Sequence, residues 1–253
     1  MSALLDEAIS GHGGLDRWRQ VRGLRFSVRI GGAILASRLA SPERRTLDTF
    51  VDTSRPRVTF SPFPRAGHTG IFDGDHVRIE NAAGSIVAAS DIRRRADGRP
   101  IRRWPWSDLD VLYFFGYAMW NYSVIPHVFR WPGFETREGE PWRERSGEIW
   151  RRLHVVYPAG FPAHCREQTM YFDERGWLRR LDYTADVFGP IARGAHYCHA
   201  HRTFDGLVFP THRVVWWRLP SGKPLRLTSV MEGWVDNVAA LPYDAHHPTR
   251  ITK

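Results

Sequence analysis

The chain has 253 residues, 42% hydrophobic and 13% aromatic, enough to bury a substantial core and incompatible with a disordered composition. Its formal net charge is +9 and its sequence pI about 10.1, yet the excess is almost all arginine, because lysine occurs only at Lys223 and Lys253. The arginines are dispersed, as at Arg93-Arg94-Arg95, Arg151-Arg152 and Arg179-Arg180, with no zinc-finger, KH or RNP motif beside them. That pattern argues against a nucleic-acid partner and for a solvated sheet face covered by arginine stems.

In chain order, residues 3–10 place Leu4, Leu5, Ala8 and Ile9 on one side of a helix. Gly11, Gly13 and Gly14 break it, and residues 15–21 read as a second short helix. From Gly23 the period changes to two: Leu24, Phe26, Val28 and Ile30 alternate with Arg25, Ser27 and Arg29, a half-buried strand. Strand-like stretches follow at 33–39, 44–52, 57–61, 68–72 and 76–80, with Asp73-Gly74 as a hairpin turn. Residues 81–103 are polar and arginine-rich and read as a long loop.

Residues 107–128 form the strongest predicted helix. Ser107 is its cap, Asp108 and Asp110 lie in its first turn, and Leu109, Leu112, Tyr113, Phe115, Gly116, Met119 and Trp120 recur at helical spacing. It is apolar nearly all round, which requires protein on several sides. Pro126 forces Ile125 out of helix. Beyond it, strands at 149–157, 163–172, 177–185, 194–204, 208–219 and 225–234 are joined by short turns, the pattern of an antiparallel meander. No repeat or linker interrupts the chain, and one domain over 1–253 is expected.

Several further features bear on compartment. Asp6 and Glu7 interrupt what would be the apolar core of a signal peptide. The longest apolar run, 111–120, is too short to span a bilayer. Two cysteines, Cys165 and Cys198, make no disulfide framework. The expectation is a cytoplasmic, reduced protein without stable membrane association; nothing in the sequence sets an oligomeric state.

The order of elements resembles a known family. A helix ending in Gly11-His12-Gly13-Gly14 leads into Val21-Arg22-Gly23-Leu24-Arg25-Phe26. Later come Tyr171-Phe172-Asp173, Gly176-Trp177-Leu178-Arg179-Arg180-Leu181-Asp182-Tyr183 and Phe204-Asp205-Gly206-Leu207-Val208-Phe209-Pro210-Thr211. This resembles the LolA/LolB-like (lipoprotein-localisation factor) half-barrel superfamily, and more closely bacterial proteins of about 250 residues. The resemblance implies a mainly β (α+β) fold: a curved antiparallel half-barrel sheet wrapped around a central apolar helix, with an N-terminal helix and an apolar cavity between sheet and plug. Superfamily members carry lipoproteins or lipids in the bacterial envelope, and a cytoplasmic enzyme of violacein biosynthesis has a similar fold.

No strong catalytic signature is present: there is no GxSxG, HExxH, P-loop or CxxC, and no cofactor is implied. Histidines and their strand faces carry what chemistry there is. By strict alternation His164, Arg166, Gln168, Met170 and Phe172 share a face, as do Trp177, Arg179, Leu181 and Tyr183, and His196, Cys198, Ala200, Arg202 and Phe204. Bulky apolar groups with a few placed polar ones are the composition of a ligand cavity. His164 and His196 are candidate acid/base groups, Tyr183 a candidate donor to a carbonyl, and Arg166 a candidate partner for a carboxylate or enolate. Gln168, Met170 and Cys198, with Trp120, Asn121 and Tyr122 from the helix, are candidate ligand contacts. His199 and His201 share a face and His212 lies on the next strand, but no carboxylate or cysteine accompanies them at ligand spacing, so surface histidines are preferred to a metal site. The expected function is binding of a small hydrophobic or amphipathic metabolite between sheet and plug helix. The alternative is a cofactor-independent lyase, isomerase or hydrolase acting on a hydrophobic small molecule.

Overall fold

The computed structural model describes residues 2–32, 46–91 and 106–242; the strand expected at 33–39 lies outside them. Helices α1 (Ala3–Gly11), α2 (Gly14–Arg19) and α3 (Asp108–Val124) accompany the strands. In chain order these are β1 (Val21–Gly31), β2 (Thr46–Asp52), β3 (Arg57–Ser61), β4 (His68–Asp73), β5 (His76–Asn81), β6 (Ile86–Asp91), β7 (Glu135–Arg143) and β8 (Ile149–Val156). They continue as β9 (Glu167–Phe172), β10 (Leu178–Thr184), β11 (Arg193–Phe204), β12 (Leu207–Arg218), β13 (Pro224–Leu225) and β14 (Met231–Pro242).

The described strands form one antiparallel sheet in the order β6-β5-β4-β3-β2-β1-β14-β12-β11-β10-β9-β8-β7, with β13 beside β12. Two meanders thus meet where β14 returns to β1, pairing Leu24 with Ala240 and Ile30 with Gly233. The expected half-barrel architecture around a helix is present. The sheet must curl, and α3 shows why. Its Tyr113 packs on Phe72 of β4 at 6.0 Å between ring centroids, while its Tyr122 reaches the Tyr183 hydroxyl of β10 at 3.3 Å. Those strands are seven steps apart in the sheet, about 34 Å if it were flat at about 4.8 Å per step. A helix about 10–12 Å across touches both only if the sheet wraps around it.

The start of α3 follows from Ser107. Its hydroxyl accepts from the Asp110 amide, and the Asp110 carboxylate accepts in turn from the Ser107 amide, a complete capping box. Its end follows from Pro126, which holds Ile125 extended (φ −68°, ψ 135°). Gly116 lets the helix approach β4: a Cβ there would lie 2.3 Å from Phe72 Cγ. Gly13, in the Gly-His-Gly-Gly connector, has φ +106° and lies against the Gly206 carbonyl, so no side chain fits. Among the described residues no helix is long and apolar enough to cross a membrane.

Three expectations need correction. β6 runs through the segment read as loop, and β7 was not foreseen at all; both are largely exposed and lack an apolar face for alternation to reveal. The last strand begins at Met231 rather than Leu225, and only Pro224 and Leu225 pair with β12 in between.

Candidate functional site

Between α3 and the inner sheet face lies an apolar cavity of about 80 Å³. Phe26 and Val28 (β1), Phe60 (β3), Phe115 and Met119 (α3) and Phe209 (β12) form its walls; Thr49, Tyr122, Ser123, His196, Arg213 and Glu232 bring polar groups to it. A second cavity of about 50 Å³ adjoins it, sharing Val215 and Met231 and lined also by Phe114, His164, Tyr183 and Trp217.

A tyrosine–histidine cluster separates the two. His164 Nδ1 lies 3.1 Å from the Tyr117 hydroxyl and Nε2 lies 2.5 Å from the Tyr122 hydroxyl. Burial pushes its pKa down to about 3, so the ring is neutral and carries one N–H: it donates to one tyrosine and accepts from the other. Tyr183 stacks on it at 3.9 Å between centroids. Burial raises the hydroxyl pKa values of Tyr117, Tyr122 and Tyr183, so all three stay protonated.

His196 contrasts with His164. It is 1% exposed, packs edge-on against Tyr122 at 4.7 Å, and has no hydrogen-bond partner for either ring nitrogen. Burial, then the Arg213 charge, pushes its pKa well down, so it too is neutral. The buried Thr49 hydroxyl, which also lines the cavity, likewise lacks a partner. Arg213 lies over the Tyr122 ring at 5.0 Å and donates to the Tyr122 carbonyl and the Cys198 sulfur, both at 3.2 Å.

The structure thus gathers His164, His196, Tyr183 and Tyr122, and sets Cys198 against Arg213. It does not bring Arg166 in. β9 begins only at Glu167, so alternation does not reach back to 166; Arg166 is exposed and donates to the Tyr157 carbonyl. His164 reaches the interior from that same loop, held where its carbonyl accepts from the Asp186 amide. Arg179 also leaves the expected face: a bulge between Leu178 and Arg180 turns it outward over Trp150. Trp120 is fully buried and donates to the Asp52 carbonyl. Asn121 donates to the Tyr117 and Pro162 carbonyls, and Gln168 to that of Cys165. Met170 is core. These four hold structure and line neither apolar cavity.

His199 and His212 face each other on the outer side at 5.8 Å between centroids, with His212 bonded to Glu232. His201 bonds instead to the Leu178 carbonyl. Among the described residues no group of three or more His, Cys, Asp or Glu is placed to hold a metal ion.

Sequence reasoning missed Arg213, and also Thr49 and Tyr117. On β12, alternation places Phe209, Thr211, Arg213, Val215 and Trp217 on one face, so an arginine in the middle of an apolar stripe was the available signal.

No protein-family model matches the chain, and no curated protein matches it. Solved structures do. A LolA superfamily protein from Nitrosomonas europaea superposes with a TM-score of 0.53 over 96% of this chain and 94% of that one, at 9% identity. The fold is LolA-like. A DUF1329 family protein from Desulfovibrio piger gives a TM-score of 0.51 over 97% and 94%, at 11% identity. The lipoprotein LppX from Mycobacterium tuberculosis also matches, at 14% identity over 73% and 89%, with a TM-score of 0.25. At these identities the LolA-like likeness concerns the fold, and function must come from the site.

Proposed function

We propose that this protein binds a small hydrophobic or amphipathic molecule in the cavity between the LolA-like sheet and α3. The observation that carries the reading is the cavity's make-up: apolar walls around two buried polar side chains, His196 and Thr49, that have no partner in the protein. Buried polar groups are normally paired, and an unpaired one costs about 1–3 kcal/mol. A bound molecule that supplies the missing partner recovers that cost. The alternative, proton-transfer chemistry, has less support, because both nitrogens of His164 are already engaged by tyrosines and burial holds His196, whose nitrogens are free, well below the pKa of a base poised near neutral pH. Two free thiols, Cys165 and Cys198, support placing the protein in the reducing cytoplasm, which cell fractionation tests.

The test is titration with an environment-sensitive alkyl fluorophore. Ala118 lines the cavity and is buried, so Ala118→Phe fills the space. We expect the variant to bind the dye at least tenfold more weakly while melting at or above the wild-type temperature. Undiminished binding to a folded Ala118→Phe protein would sink the proposal.

A further inference from the structure

Arg213 is a cation at the wall of an apolar cavity, and the protein gives it no anion. Its two acceptors, a backbone carbonyl and a thiol sulfur, are uncharged, and burial pushes the Cys198 thiol pKa up, so the sulfur stays protonated. No carboxylate among the described residues lies within ion-pairing distance of it. Glu232 also lines the cavity, but its carboxylate is bonded to His212 at 2.8 Å and makes no ion pair with Arg213. A guanidinium has five N–H donors in a planar fork, and here most of them are unspent. Arg213 is half-buried, so water reaches its unspent donors, and a carboxylate from a ligand in the cavity would take the place of that water. Beside it, on the same inner face, stands the partnerless His196.

We propose that the cavity takes a single-chain amphiphile with a carboxylate head, the head on Arg213 with His196 as a second hydrogen-bonding group, and the chain along Phe26, Phe60, Phe115 and Phe209. The inference rests on the binding function proposed above and names its ligand class. A carboxylate matches the guanidinium fork in two parallel hydrogen bonds. The small volume excludes a diacyl lipid and encloses only a short stretch of a single chain. His196, Tyr122 and Arg213 cluster at one end, while only the Thr49 hydroxyl interrupts the wall between Phe26 and Phe60, so the ligand is polar at one end and mainly apolar over the rest.

The experiment displaces the fluorophore with dodecanoate, dodecanol and dodecyltrimethylammonium, on wild-type protein and on Arg213→Gln and Arg213→Lys. The wild type should prefer dodecanoate to dodecanol by at least tenfold and bind the cation most weakly. Arg213→Gln should erase the acid preference, and Arg213→Lys should restore part of it. If Arg213→Gln does not fold, the wild-type order together with a reduced preference in Arg213→Lys decides. Equal binding of acid and alcohol, or an acid preference that survives loss of the guanidinium, overturns the head-group assignment and leaves the cavity standing. Failure of every amphiphile and of the dye to bind overturns the binding function itself.

Discussion

The two faces of β10 each carry a buried polar cluster, and the clusters are built on opposite plans. On the outer face, Arg180 is 0% exposed and pairs in bidentate fashion with Asp182, at 2.7 and 2.9 Å. It also donates to Tyr197 and to the Gly222 carbonyl, lies over the rings of Trp142, Tyr171 and Tyr197, and has Glu144 at 3.9 Å. Tyr171 donates to Asp182, and Tyr197 to Glu144. On the inner face, His164 is equally saturated, but His196, Thr49 and Arg213 are left with unmet capacity at a cavity. A closed network ties β9, β10, β11 and the 219–223 turn together; an open one is a receptor. What separates the structural role from the binding role is the partner set: the outer arginine has its own carboxylates, Asp182 and Glu144, and no described carboxylate pairs with the inner one.

The largest effect should come from breaking the closed side. Arg180→Ala removes the bidentate partner of the buried Asp182 carboxylate and leaves it only Tyr171 and, at 3.6 Å, Arg218; removing one partner of a buried pair costs about 3–5 kcal/mol. Burial already pushes the Asp182 carboxyl up, and Arg180 is the main group holding it charged. Urea unfolding should show that loss. A variant less than about 1 kcal/mol weaker would mean that the outer cluster is no strut.

Acid should act on the inner side next. His164 titrates near 6.5 when unfolded and is held down to about 3 in the fold by burial. Below 6.5 the unfolded chain binds the extra proton and the folded one does not. The stability is therefore complete above about 6.5 and is lost as pH falls from there towards 3, at about 1.4 kcal/mol per pH unit. His12 and His201, each held down to about 4, add to the same slope. Between pH 7.5 and 4.5, a folded His164→Phe protein should lose about 2–3 kcal/mol less than wild type. Parallel curves would show that His164 is not held neutral.

Much of this contrast was legible from the chain, but unevenly. The capping box at Ser107 and Asp110, the apolar spacing of α3 and the Asp-Gly turns are local, and local chemistry places them. Alternation puts His196 and Tyr183 on inner faces, and His164 joins them from the loop before β9, where alternation does not apply. Alternation failed where the backbone departs from regular strand: before Glu167, which excludes Arg166, and at the bulge that turns Arg179 outward. Whether a polar group is paired was beyond reach altogether. His164 and His196 look alike in sequence, and only the approach of Tyr117 and Tyr122 from α3 saturates one and leaves the other open.

That last difference sets the smallest predicted effect and the sharpest test of the contrast. His196 makes no hydrogen bond, so His196→Leu removes a buried polar group without stranding a partner, and replacing it by an apolar group of similar volume should be neutral or stabilising, within about 1 kcal/mol. The opposite follows for a group in a closed network, where truncation leaves another group unpaired. Unfolding curves for His196→Leu should therefore overlay wild type or shift to higher urea, while Arg180→Ala on the other face of the same sheet collapses. A loss above about 2 kcal/mol in His196→Leu would place His196 in a closed network after all. The inner cluster would then be a second strut, and the cavity beside it a packing defect rather than a receptor.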